Sequence, residues 1–533
     1  MSTPAFGRIF AIIRKRQWLL PLLLSSLALI ARLIAWPHSD VVNADAVSRA
    51  LIGEGYMHFP GWTGDGVWPP FHFYLNGLFT VLCGSRVVGS VLVNILLGSA
   101  IVFPVFAFVR RWSDDDVAIA VAMVVVFEPL VFRNSLQGLS EVPFFFFAAC
   151  AFNSLSAAQT TTGRISLRNA AIAGLFLTVA AGIRYEAWLL IPLLTLILGA
   201  SKRWRSAAVL IATAMLFPIA WMITGLVTHG DPFTGLGPLL HWRSDAITPA
   251  VSTDQLLLRT AFFPASFLAA LSPVIIALGS GGATWVLIRK DLAREQWPWL
   301  LLFPVFLVIM IDEARRGELI LQHRFSMTLV LLFIPYLALG FSMLKAKRWV
   351  PVIALLLAGW TFQASFQRHL PSWFRSASKH TRFGPAVGFI SDYTMGEMVA
   401  VPQLNERWPD QLVAKLNAMD PDTGILVLDF FGWQETYNVA FRANIRPTSI
   451  VLLPEAQPSA DDGIQRLGGY VAQLKAPHGI MVVHDGGAYQ RTFTTDPNGR
   501  LVMAIPLNEL LLHDLGTFRD LHLYSFQTIG GSQ

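Results

Sequence analysis

The 533-residue chain is 54% hydrophobic and only 14% charged, against about 25% charged residues in a soluble domain, which excludes an ordinary globular protein and points to an integral membrane protein. Its net charge of +6 is unevenly placed: residues 1–366 hold 27 Lys+Arg against 18 Asp+Glu, and residues 367–533 hold 13 against 16. The basicity therefore belongs to membrane topology and no nucleic-acid partner is implied; the two cysteines, Cys83 and Cys150, exclude a disulfide framework and a cysteine-based metal site.

A crossing needs roughly 20 apolar residues, fewer where the helix is buried among others. In chain order the apolar runs predict eleven crossings, at about 17–36, 87–109, 116–133, 141–158, 169–183, 186–200, 206–228, 260–288, 297–312, 325–344 and 349–366. The first has a short basic lead and no small-residue cleavage site, so it reads as a retained signal anchor. Residues 37–86 form the first outer loop, and the short apolar run at 71–83 reads as an interfacial helix on the outer leaflet. With the N-terminus inside, all six inner segments are basic: Arg8 to Arg16, Arg110 and Arg111, Arg164 and Arg168, Lys202 to Arg205, Arg289 to Arg294, and Lys345 to Arg348. They hold 17 of the 27 cations, in agreement with the positive-inside rule. An odd number of crossings then places the C-terminal region outside the cytoplasm.

From about 370 the charges return and Pro/Gly punctuation appears. Short β-rich runs at Ile425–Leu428, Ser449–Leu453 and Ile480–Val483, with helices predicted at 409–419 and 461–474, read as a small α/β domain with a parallel or mixed sheet. The expected architecture is a helical polytopic membrane domain over 1–366 and a soluble extracytoplasmic α/β domain over 367–533, in a cell (inner) membrane.

Ionisable residues in or beside apolar helices cost roughly 2.5–3.5 kcal/mol each at a helix centre on insertion scales, so their presence asks for a reason. The ten cations outside the inner loops are Arg32, Arg49, Arg86, Arg133, Arg184, Arg243, Arg259, Arg315, Arg316 and Arg324. On the predicted outer face, Asp45, Glu54, Arg133, Glu141, Arg184, Glu186, His241, Arg243, Asp312, Glu313, Arg315, Arg316, Glu318, His323 and Arg324 gather. Arginines beside carboxylates at that level suit an anionic lipid head group, with the guanidiniums on phosphate and a carboxylate as base. Each residue also has a plainer reading. Asp45 and Glu141 are first-turn acids favoured by the helix dipole, Arg184 and Glu186 make a structural ion pair, and His241 and His323 are hydrogen-bonded interface residues.

Several blocks carry a resemblance. In order they are Asp45-Ala-Val-Ser-Arg-Ala-Leu-Ile-Gly, Trp68-Pro-Pro-Phe-His-Phe-Tyr, Ser85-Arg-Val-Val-Gly-Ser-Val-Leu, Asn134-Ser-Leu-Gln-Gly-Leu-Ser-Glu-Val-Pro-Phe, the helix ending Arg184-Tyr-Glu-Ala-Trp, and Glu318 to Arg324-Phe325. Over most of 1–345 the chain resembles the polyprenyl-phosphate-dependent glycosyltransferases of the C fold class (GT-C), the superfamily of protein mannosyltransferases and lipid A aminoarabinose transferases. The resemblance implies transfer of a sugar from a polyprenyl-phosphate carrier to a glycan, lipid or protein acceptor on the outer side, with inversion and with Asp45 as general base. It also leaves open a divalent metal, held by His241 or His323 with a carboxylate. Protein O-mannosyltransferases carry an Asp-Glu pair where Ala46 follows Asp45 here, and oligosaccharyltransferases carry a Trp-Trp-Asp motif whose nearest counterpart is Phe431-Gly-Trp-Gln-Glu. The first departure argues against a protein acceptor, and the second makes asparagine glycosylation the weaker fit. The competing classes are a lipid or solute transporter, against which the lack of paired internal repeats speaks, and an inactive scaffold.

Overall fold

The computed structural model describes residues 18–58, 60–62, 68–233, 253–289, 296–344, 349–366, 408–419, 424–443, 450–453, 460–474, 478–506 and 508–529. The chain divides into two compact units. One comprises Met1–Asp40, Gly61–His72 and Val91–Pro402; the other comprises Val41–Pro60, Phe73–Ser90 and Gln403–Gln533. The expected domain boundary after residue 366 falls beside 367–407, which lie outside the described residues.

In chain order the helices are α1 (Leu19–Ala35), α2 (Ala44–His58), α3 (Phe71–Cys83), α4 (Arg86–Ala100), α5 (Val102–Val109), α6 (Asp115–Val126), α7 (Pro129–Gln137) and α8 (Glu141–Thr160). There follow α9 (Gly163–Ala181), α10 (Glu186–Ala200), α11 (Trp204–Ala214), α12 (Leu216–His229), α13 (Thr253–Leu271), α14 (Pro273–Arg289), α15 (Trp297–Arg316), α16 (Ser326–Ser342) and α17 (Val350–Phe366). Among the described residues, six helical stretches are long and apolar enough to cross a membrane, or eight if two bent pairs each count as one span. Within the described residues each of the eleven apolar runs falls mainly on helix, and the run at 71–83 is α3.

Three of those runs are not single rods, for reasons of backbone chemistry. The 116–133 run divides at Glu128, which takes an extended backbone before Pro129; its carboxylate accepts from the Leu130 and Val131 amides at 3.0 and 2.7 Å and so caps α7, because the first amides of a helix have no partner within it. The 260–288 run bends by 99° between α13 and α14. There Ser272 adopts φ +66° and Pro273 contributes no amide hydrogen. The 206–228 run bends by 41° between α11 and α12.

The C-terminal part of the second unit holds α18 (Trp408–Asn417), α19 (Trp433–Arg442), α20 (Asp461–Leu474) and strands β1 (Ile425–Leu428), β2 (Ile450–Leu452), β3 (His478–His484), β4 (Phe493–Thr495), β5 (Leu501–Ile505), β6 (Asn508–Phe518) and β7 (Leu521–Ile529). They form one seven-stranded sheet in the order β2-β1-β3-β7-β6-β5-β4. Strand β1 is parallel to β2 and β3, with Leu426 opposite Ile450 and Ile480, and every pairing beyond β3 is antiparallel. The sheet is mixed, as the sequence indicates, but its antiparallel half is a finding of the structure. Alternate β1 residues serve two cores: Ile425 and Val427 pack with Leu467 and Val471 of α20, while Leu426 and Leu428 pack with Leu412 and Leu416 of α18 and Val439 and Ala440 of α19. A strand buried on both faces must be apolar throughout, which is why β1 was legible as ILVL.

Candidate active site

In the first unit three segments that start helices bring their charges together. Glu141 opens α8, Arg184 lies between α9 and α10, and Arg324 sits in a short 3-10 turn, His323–Phe325, leading into α16. Arg184 Nη1 donates to Glu141 Oε1 at 2.5 Å and to Ser140 Oγ at 3.1 Å, and its Nε donates to Glu186 Oε1 at 3.0 Å. Arg324 Nε lies 3.4 Å from the same Glu141 oxygen and donates to Gln322 Oε1 at 2.7 Å. Both guanidiniums lie against the Phe325 ring, at 5.3 and 5.5 Å. Glu141 is only 3% exposed, and Arg184 and Arg324 8% each.

Burial alone would lower the Arg184 pKa, but the Glu141 and Glu186 carboxylates outweigh it and the net shift is upward, so Arg184 stays a cation. Three helix N-termini, each the positive end of a dipole, add to the two guanidiniums. Such a site is electrostatically suited to an anion.

Phe71, at the end of the Trp68-Pro-Pro-Phe block, supports this cluster. The Phe71 amide donates to the Gly182 carbonyl at 2.8 Å, and the Phe71 ring lies so close to Gly182 that a Cβ there would overlap it. Phe71 also packs edge-on to Phe217 at 4.9 Å. Gly182 thus lets an aromatic residue brace the turn that presents Arg184.

His323 is fully buried; its Nδ1 is 2.7 Å from Ser266 Oγ, which also accepts from Ser326 Oγ at 2.7 Å, and its ring lies 4.6 Å from that of Phe262. Among the described residues no group of three or more His, Cys, Asp and Glu side chains is gathered as metal ligands. Arg315 and Arg316 end α15 and are exposed; Arg316 pairs with Asp312 at 2.9 Å and Glu318 at 3.0 Å. The structure does not join them to the buried cluster. His241 and Arg243 lie outside the described residues. Ser140, Gln322 and Phe325 complete the cluster; none is a site candidate by sequence, although Ser140 belongs to the Ser-Glu block before α8 and Phe325 is the aromatic half of the Arg324-Phe325 motif.

Asp45 belongs to the second unit. It lies in the first turn of α2, partly exposed, and its amide donates to Asn43 Oδ1 at 2.9 Å. Asn43 therefore caps the helix, an ordinary use of a short amide side chain.

A family model described as "Dolichyl-phosphate-mannose-protein mannosyltransferase" matches residues 67–227, a stretch that includes Trp68, Glu141, Arg184 and Glu186. A comparison with curated protein sequences gave no match. Among solved structures, ArnT from Cupriavidus metallidurans bound to undecaprenyl phosphate is similar with a TM-score of 0.61 at 12% identity, covering 95% of this chain and 97% of that one. Its apo state gives 0.59 at 12% identity, covering 98% of each. The archaeal oligosaccharyltransferase AglB from Archaeoglobus fulgidus gives 0.47 at 14% identity, covering 91% of this chain and 75% of that one. The chain is a polytopic helical membrane protein that shares its fold, the GT-C fold, with ArnT.

Proposed function

We propose that the protein is an inverting membrane glycosyltransferase that moves a sugar from a polyprenyl-phosphate carrier to an acceptor outside the cytoplasm. The observation that carries this reading is the buried Arg184–Glu141–Arg324 cluster at three helix N-termini. An acceptor hydroxyl is a poor nucleophile until a positioned carboxylate takes its proton, and the departing lipid phosphate needs fixed cations to hold its charge. Arg184 and Arg324 are assigned to the phosphate, with Glu141 and Glu186 setting their positions, and Asp45 is the general base. The fold match to an undecaprenyl-phosphate-bound ArnT supports a carrier of that class. Eleven crossings, a cytoplasmic N-terminus and an extracytoplasmic C-terminal domain are part of the same proposal.

Native mass spectrometry of the detergent-solubilised protein with undecaprenyl phosphate tests the phosphate assignment. Wild type is expected to retain the lipid and Arg324→Ala to bind it at least ~10-fold more weakly, the scale of one lost charge-assisted contact. Equal retention by both would remove Arg324 from the phosphate site. Passage of the lipid across vesicles without sugar transfer would instead favour a transporter.

A further inference from the structure

We infer that Glu54 and Arg86 form a clamp through which the C-terminal domain positions Asp45; the inference rests on the reading of Asp45 as the base. Helix α2 carries Asp45 in its first turn and Glu54 near its other end. Nine residues at 1.5 Å each place the two about 13 Å apart along one rigid helix, so what fixes Glu54 fixes the axis on which Asp45 is mounted.

Three contacts within the second unit hold this helix. Gly53 meets the backbone of α3 near Phe73 and Gly77 so closely that neither glycine has room for a Cβ. Leu51 packs into the core layer formed by α18, α19, β1 and β3. Arg86, at the start of α4, places Nε 2.8 Å from Glu54 Oε2 and donates from Nη1 to the Ala440 carbonyl at 3.0 Å. Ala440 is in the last turn of α19, where carbonyls have no partner within the helix and a cation is favoured by the dipole. One planar guanidinium therefore caps a helix of the C-terminal domain and holds the helix that bears Asp45, a two-ended contact a lysine cannot reproduce.

The electrostatics indicate placement rather than stability. Burial raises the Glu54 pKa, and Arg86, then His58, pull it back without cancelling the rise. A carboxylate with a raised folded-state pKa contributes stability below its ordinary range and loses it as pH rises through the raised value. Burial thus opposes ionisation of Glu54 in the folded chain, as is common for partly buried ion pairs.

The experiment is a sugar-transfer assay on the purified full-length protein with a labelled polyprenyl-phosphate sugar, run beside thermal unfolding. Glu54→Gln and Arg86→Gln are expected to lower kcat by ~10-fold or more, since a displacement of about 1 Å can cost that much, with donor KM within about 2-fold because the phosphate contacts are untouched. Glu54→Gln is expected to unfold at a temperature no lower than wild type at pH 7, a split that a merely structural role would not produce. Should Arg86→Gln fail to fold, Arg86→Lys keeps the charge and is expected to show the same kcat loss. The swap Glu54→Arg/Arg86→Glu can restore the ion pair but leaves the Ala440 carbonyl without its donor, so it is expected to stay slow. Full recovery in the swap, or wild-type kcat in folded single variants, would overturn the clamp. Asp45→Asn in the same assay separates the two claims: an inactive Asp45→Asn beside fully active clamp variants refutes the clamp alone, whereas a fully active Asp45→Asn refutes the base and with it the clamp's purpose.

Discussion

Glu141 serves two guanidiniums with one oxygen, 2.5 Å from Arg184 and 3.4 Å from Arg324. Removing one partner of a buried pair leaves the other uncompensated, at a cost of about 3–5 kcal/mol. Arg184→Met is accordingly predicted to lower the thermal midpoint sharply, and the Arg184→Met/Glu141→Gln double variant to lose less than the sum of the single losses, read by differential scanning fluorimetry in detergent. Arg316, exposed between Asp312 and Glu318, gives the contrast: Arg316→Ala is predicted to change stability by under about 0.5 kcal/mol in the same measurement. The sequence marks Arg315, Arg316 and Arg324 alike, because all three are cations on the predicted outer side, where cations are disfavoured. Only the fold separates them. Gly317, at φ +76°, ends α15, and the chain continues to a buried turn at Arg324. Likewise no local pattern reveals that residues 141, 184 and 324 meet, since their separations along the chain exceed any helical or strand period.

The broken helices matter most at the scale of elements. The turn that presents Arg184 is braced by Phe71 against Gly182, so Gly182→Val must push the aromatic ring aside. A cost of about 1–3 kcal/mol is predicted, with weaker retention of undecaprenyl phosphate measured by native mass spectrometry; unchanged stability and retention would show that the brace is dispensable. Hydropathy located every described membrane helix because apolar length is a strong signal, but it passed over the 99° bend at Ser272 and Pro273, which depends on one residue's backbone. In the C-terminal domain the legible strands β1 and β3 are apolar because both faces are covered. Strand β6 mixes buried and exposed positions and carries an irregularity between Asp514 and Gly516, so neither an apolar run nor a clean alternation identified it.

At the scale of the whole molecule, the sequence conveyed the division of labour through charge. Its 17 cations in the loops predicted to lie inside set the expected orientation, and the few left over include the two arginines of the buried cluster. The grouping of Val41–Pro60 and Phe73–Ser90 with Gln403–Gln533 was not legible, because it depends on contacts such as Arg86 to Ala440, 354 residues apart. Orientation is open to direct measurement: with an odd number of crossings, alkaline phosphatase fused after residue 533 is predicted to be active and a green fluorescent protein fused there dark; the reverse pattern would require an even number. The central claim is tested most directly by sugar transfer from a labelled polyprenyl-phosphate donor in membranes containing wild type or Asp45→Asn at matched levels of folded protein. The account predicts transfer by wild type and a loss of at least ~100-fold in Asp45→Asn, the lower range for removing a general base; equal transfer by the two proteins would contradict it.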